Sequence, residues 1–313
     1  MNFVPISTAE YKRLEPFFRR QPHILSPYCL SGLVSWNNCA YNNYYAADSG
    51  VLYIYENHEE EGKASYLLLP IANEREFSPA ELAQALAKTG RCEFRFVPQP
   101  YIEKHKAELE KIFSIHEQKD FEDYVYLQKD LALLEGRKYA KKRNLVRQFE
   151  REYLAPGRVK TEPIARANIH QCLELADRWY KNYADAGGAQ NPELHCDRNA
   201  LLHTLDNFGQ TQAKGLLILV DGAPSGLGIA SRLNADTAVL NFEKALPTIK
   251  GLYQYLDKLC AAVLGEGYAY INKESDLGDP GLRQAKESYF PVLRVKSYSL
   301  KPKKCGAQPH VVP

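Results

Sequence analysis

The chain has 313 residues, a formal net charge of +2 and 45% hydrophobic residues, enough for two ordinary domains with real cores. So small a net charge gives no overall bias toward nucleic acid or membrane, and any basic site must be local. No apolar run approaches the roughly 20 residues of a membrane span, and the N-terminus lacks the uninterrupted apolar core of a signal peptide. Seven cysteines, odd in number and without a CxxC pair, predict reduced thiols in a cytoplasmic protein.

Residues 5–20 read as a short amphipathic helix with Tyr11, Leu14, Phe17 and Phe18 on one side. The aromatic and asparagine-rich piece from Trp36 to Tyr45 suits either a grip on a sugar, a base or a peptide, or strand packing with its amides satisfying turns. Asp48-Ser49-Gly50 turns into a strand over Val51–Tyr55, which pairs across a polar loop with Ser65–Ile71. Ser78 and Pro79 open a helix that Gly90 ends. Cys92–Val97 alternates as a strand closed by Pro98 and Pro100. A helix over Ile102–Phe113 follows, then a strand over Phe121–Leu127 that leads into a second domain, with the boundary near residue 125.

Residues 128–153 hold the densest positive charge, with Arg137, Lys138, Lys141, Lys142, Arg143, Arg147 and Arg151 in one helical segment. Tyr139, Val146, Phe149 and Tyr153 recur at helical spacing as its buried stripe, leaving the cations on the exposed sides. Lys142, Arg143 and Asn144 then face outward, either as a solvated surface or toward a phosphate-rich ligand. Arg158–Pro163 is extended, and helices are predicted over Ile169–Tyr183 and Asn199–Phe208. His195, Cys196 and His203 lie close in sequence, but no fourth ligand stands at metal-like spacing. Gly215–Val220, Gly226–Leu233 and Thr237–Phe242 form an antiparallel meander. The loop Leu246–Gly251 leads to a helix with Leu252, Leu256, Leu259, Cys260 and Val263 as its stripe. Tyr268–Asn272 is a short buried strand, followed by a charged loop with Lys273, Glu274 and Asp276. Asp279 and Pro280 start a helix with Leu282, Ala285 and Tyr289 on one face. Arg294–Leu300 is a last strand, and residues 303–313 a tail.

Two blocks, LEGRKYAKKRNLVRQFEREY (134–153) and NKESDLGDPGLRQAKESYFP (272–291), carry a resemblance. They are similar to an uncharacterised bacterial family related to the catalytic C-terminal domain of the phosphatidylglycerol lysyltransferases, or lysylphosphatidylglycerol synthases, which move an amino acid from aminoacyl-tRNA to a lipid. The resemblance implies an α/β (α+β) fold of tandem GNAT-like acyltransferase domains with mixed, largely antiparallel sheets, over residues 1–125 and 126–302. It implies aminoacyl transfer to an amine or hydroxyl, with the acceptor end of aminoacyl-tRNA as partner and no further cofactor. The acceptor molecule and the oligomeric state stay open.

GNAT acetyltransferases hold the coenzyme A pyrophosphate on a Q/R-x-x-G-x-G/A loop of backbone N–H groups. Here the corresponding Leu246–Tyr253 fits that pattern in neither register, and Pro247 removes a donor. Acetyl-CoA therefore remains an alternative co-substrate with an atypical loop, and a non-catalytic anion-binding protein a third reading. For transfer, Glu274 and Asp276 are the candidate proton acceptors or amine anchors, with Glu243 at the neighbouring strand end. Lys142, Arg143, Asn144, Lys250, Lys273, Arg283 and Lys286 are candidates for binding substrate. The plainer reading of the acids is an ion network with Lys273, Arg283 and Lys286 that fixes the loop.

Overall fold

The computed structural model describes residues 1–37, 41–58, 65–72, 75–183 and 192–303. Strands β1 (Val4–Pro5), β2 (Tyr41–Asp48), β3 (Val51–His58), β4 (Tyr66–Leu67), β5 (Ile71–Ala72), β6 (Phe94–Pro98) and β7 (Phe113–Glu117) form the first sheet. Strands β8 (Asp123–Leu127), β9 (Val159–Pro163), β10 (Lys214–Val220), β11 (Ala223–Arg232), β12 (Thr237–Ala245), β13 (Tyr270–Asn272) and β14 (Leu293–Val295) form the second. Strand β15 (Ser297–Pro302) then returns to the first sheet and lies between β6 and β7, antiparallel to both. The helices are α1 (Tyr11–Arg19), α2 (Leu30–Ser35), α3 (Pro79–Thr89), α4 (Gln99–Ile112), α5 (Gln128–Leu133), α6 (Ala140–Phe149), α7 (Ile169–Tyr183), α8 (Pro192–Asp206), α9 (Leu252–Val263) and α10 (Pro280–Glu287).

Each half repeats one order: a hairpin, a further strand, a helix, a strand parallel to the one before the helix, and another helix. In the first half the parallel pair is β4 with β6; in the second it is β12 with β13. This is the GNAT-like arrangement expected from the sequence, with mixed sheets. Local chemistry sets many of its boundaries. Ser78 and Glu81 form a reciprocal capping box at the start of α3, and Gly90 ends it at φ 70°. The second sheet carries apolar layers on both faces. Val146, Phe149, Leu256 and Cys260 pack on one side, and Cys172, Leu175 and Leu201 on the other. Helix α9 lies directly on β11, because a Cβ at Gly228 would come within 2.2 Å of Cys260 Sγ.

Several expectations change. The expected helical run across residues 137–151 is present, through α6 and the turns on either side of it, and α5 stands apart before it, since Leu134 and Gly136 take left-handed conformations (φ 52° and 85°). Arg143 donates to the carbonyls of both Leu134 and Gly136, satisfying the end of α5. Helix α4 begins earlier than expected, because the prolines of Pro98-Gln99-Pro100 suit a first helical turn. Strand β7 was hidden between that helix and β8. Helix α10 buries no residue, and Leu282 is exposed. The expected single strand over Arg294–Leu300 is split between the sheets, so the region 126–302 does not close on itself. The expected tail falls almost wholly outside the described residues. Cys29, Cys172 and Cys260 are free, but Cys196 is disulfide-bonded, which departs from uniformly reduced thiols. Among the described residues no helix is long and apolar enough to cross a membrane.

Candidate active site

Strands β12 and β13 pair only through Thr237↔Tyr270, Ala238↔Ile271 and Val239↔Asn272. Beyond that point β12 continues to Ala245 while β13 has ended, so the sheet forks. Just past the parting, β12 pairs Leu240 with Ala230 and Phe242 with Ile229, leaving Asn241 as a bulge residue. The fork therefore collects Asn241 and Glu243 from one strand and Lys273 and Glu274 from the loop after the other.

Lys273 Nζ lies 3.0 Å from Glu243 and 2.9 Å from Asp257, a residue of α9. All three side chains are nearly inaccessible to solvent. Burial disfavours charge on Lys273, but Asp257 and Glu243 outweigh it and hold its pKa well above the ordinary lysine value. Glu243 is pushed up to about 7, first by burial and then by the charge of Asp257, with Lys273 opposing. Its Oε1 is buried without a hydrogen-bond partner among the described residues, and the Tyr289 hydroxyl is buried beside Asp257. Lys142 and Lys273 both sit over the Tyr289 ring, at 3.9 and 5.2 Å from its centroid. Burial lowers the pKa of Lys142.

Glu274 holds a left-handed backbone (φ 59°), and its N–H donates to Asn272 Oδ1 at 2.7 Å. Burial raises its carboxyl to about 8, opposed by Lys286 and reinforced by Asp123. Lys286 is itself lowered to about 8 by burial, with Glu274 and Asp123 opposing. Its ammonium donates to the carbonyls of Lys273, Glu274 (3.1 Å) and Ser275 (2.6 Å), so it clamps the loop that carries Glu274. Residues from the first half complete the surroundings. Ser26 N–H donates to Asp123 at 2.5 Å. Asn272 Nδ2 donates to Asp123 and to the carbonyl of Ile24, each at 2.7 Å.

The other expected residues divide clearly. Asp276 accepts from Tyr124 Oη (2.6 Å), Arg283 Nε (2.9 Å) and the Gly278 N–H (2.9 Å). Burial opposes its charge, but these donors prevail and hold the carboxyl at about 2. So acidic a group is a poor proton acceptor, and we assign Asp276 and Arg283 to fixing the loop. Arg143 is committed to the Leu134 and Gly136 carbonyls that follow α5. Asn144 and Lys250 are exposed, and they share a rim: a Cβ at Gly251, next to Lys250, would come within 2.2 Å of the Leu145 carbonyl of α6. Of the candidate binding residues, Arg143, Arg283 and Lys286 are therefore committed to the protein's own carbonyls and carboxylates. Sequence reasoning missed Asp257, Tyr289 as a site residue, and Asn241. The one available signal was an acid inside the apolar stripe of α9.

A family profile described as phosphatidylglycerol lysyltransferase, C-terminal, matches residues 21–301. The chain belongs to that family. No curated protein matches this lysyltransferase-family chain. Among solved structures, it is similar to a conserved protein from Bacteroides thetaiotaomicron, with 28% identity, 97% of this chain and 100% of that chain covered, and a TM-score of 0.86. It shares its fold with the C-terminal domain assigned to a lysylphosphatidylglycerol synthetase of Agrobacterium fabrum, at 14% identity, 94% and 92% coverage and a TM-score of 0.62. Family and fold together make this lysyltransferase-family protein a GNAT-like acyltransferase relative, which supports transferase chemistry in general.

Proposed function

We propose that the chain transfers an aminoacyl group from aminoacyl-tRNA to an amine or hydroxyl acceptor at the β12–β13 fork. One observation carries the reading: the fork holds two carboxyls, Glu243 and Glu274, pushed up to about 7 and about 8. Such groups exchange protons near neutrality, which general base catalysis requires. The ester on tRNA is already activated, so the protein must orient the partners and move one proton. Glu274 takes the proton as the acceptor N–H or O–H attacks the ester carbonyl carbon. As the carbon–oxygen bond to the ribose breaks, that proton passes to the leaving ribose oxygen. The free Oε1 of Glu243 is the anchor for the ammonium of the aminoacyl group.

The helix α9 entrance favours this donor over coenzyme A. Pro247 has no N–H, the Ile249 N–H donates to Leu246, and the Leu252 N–H donates to Ile249, so these three positions offer a pyrophosphate no donor. The exposed Lys141, Asn144, Arg147 and Lys250 instead border the entrance, where a few phosphates of an acceptor stem would contact them. Such binding weakens steeply with salt.

The test incubates the protein with cell extract and radiolabelled aminoacyl-tRNAs, beside a parallel set with labelled acetyl-CoA. Label should leave at least one aminoacyl-tRNA, and Glu274→Gln should abolish the transfer. Turnover of acetyl-CoA alone would establish the acetyltransferase reading instead. Silence in both, with tight binding of an anion, would establish a binding protein.

A further inference from the structure

The repeated order of elements gives the first half a fork of its own. Strand β4 pairs with β6 in parallel at Leu67↔Phe94. The chain after β4 then turns away to pair with β3 as β5, through Leu52↔Ile71 and Val51↔Ala72, while β6 runs on to Pro98. In the gap lies a cavity of about 200 Å³, walled by the start of α3 and the start of α4. It stands where the Glu243–Lys273–Asp257 cluster stands in the second half. Its chemistry is the opposite.

Pro70 and Pro98 make rigid walls, and Leu69, Phe77 and Leu82 make apolar ones. The Tyr101 hydroxyl is spent on the Phe77 carbonyl at 2.6 Å. At the mouth Glu76 pairs with Lys104 and His105. One polar side chain inside is uncommitted. The His23 ring lies 4.1 Å from the Tyr28 ring and lines the cavity, with no hydrogen-bond partner for its nitrogens among the described residues. Its backbone is held from both sides: its N–H donates to Gln21 (2.6 Å) and its carbonyl accepts from Asn234 of the second half (3.1 Å). Burial lowers its pKa to about 4, so at neutral pH the ring is uncharged and offers one N–H donor.

We propose that this first fork is a second, non-catalytic binding site for a small uncharged apolar molecule bearing one carbonyl, which accepts a hydrogen bond from His23. The size follows from the volume: a cavity of about 150 Å³ holds benzene, so this one suits a ligand of roughly eight to ten non-hydrogen atoms. The class follows from the lining. Among the described residues no unpaired charge faces the interior, since Arg75 pairs with Glu81 and Glu76 with Lys104 and His105, so an ion would lose its hydration without compensation. The walls are preformed, which reduces the ordering cost of binding.

Acetophenone and its hydrocarbon isostere α-methylstyrene are the probes, titrated into the full chain by ligand-observed NMR. Both should bind saturably, acetophenone about three- to tenfold more tightly because it alone uses the His23 N–H. His23→Phe should reduce that preference to less than about twofold, and Leu82→Trp should fill the cavity and abolish binding of both probes. If Leu82→Trp fails to fold by circular dichroism, Ala72→Phe fills the same space from the opposite wall. The site is overturned if neither probe binds or if the filling variant leaves binding intact. The role of His23 is overturned if the preference survives in His23→Phe. None of these readouts depends on aminoacyl transfer.

Discussion

Lys273 and Asp257 meet at 2.9 Å, linking the loop after β13 to the buried face of α9 across the gap where the strands part. A buried pair of this kind is not primarily a source of stability, but removing one partner strands the other charge. Asp257→Leu should therefore cost about 3 kcal/mol or more in urea unfolding. The double variant with Lys273→Met should recover much of that loss. Purely additive losses would mean that the two charges act independently.

The raised carboxyls set a pH dependence with a definite sign. Glu274 ionises at about 8 and Glu243 at about 7, so the base form accumulates as pH rises. Transfer rate should climb through pH 7–8, and Glu274→Gln should leave no transfer at any pH in that range. Stability should move the other way. A carboxyl whose pKa is raised on folding contributes fully below its unfolded value, and the contribution is lost as pH rises through the folded value. Melting temperature should accordingly fall between pH 5 and 8, less steeply in Glu274→Gln. A profile identical in wild type and variant would remove Glu274 from both roles.

Asp276 behaves in the reverse sense. Its carboxyl is held at about 2, so its contribution is present above the ordinary aspartate pKa and is lost as pH falls through 2. Asp276→Asn should cost about 1–2 kcal/mol at pH 7, discounted because Arg283 is half exposed. The difference from wild type should close in acid. Denaturant titrations at pH 7 and pH 2 compare the two directly.

Gly251 takes φ 82°, and an added Cβ would approach the Leu145 carbonyl to 2.2 Å. Gly251→Ala should cost at least about 2 kcal/mol, since backbone strain and the clash add. A drop of several degrees in melting temperature is expected. An unchanged melting temperature would mean that α6 and the α9 entrance are not locked together.

The legible parts of the chain were those whose signals are local. Ser78, Pro79, Glu81 and Gly90 announce both ends of α3, and the turns Asp221-Gly222 and Asn234–Asp236 announce the meander. Glu243 and Glu274 were found because each follows a short apolar strand. The rest depended on what packs against what. Asp257 sits among leucines and reads as one polar position on a helix, because periodicity does not say that Lys273 waits opposite. The expected stripe kept Val263, which is exposed, and passed over Ala261, which is buried. Asp276 looked equivalent to Glu274 two residues away. Only the three donors around it separate an acid held at about 2 from one raised to about 8. The cavity at the first fork left no sequence signal at all, since its walls are ordinary core residues.

Strand β15 gives the fold a timetable. The ladder between β6 and β7 stays unfilled until residues 297–302 have been made, so two strand edges wait open while the whole second half is made. Edges of that kind invite wrong partners. Completion of the first sheet is thus coupled to synthesis of the second half. Chains that stop early, or the halves made as separate modules, are left with an open seam.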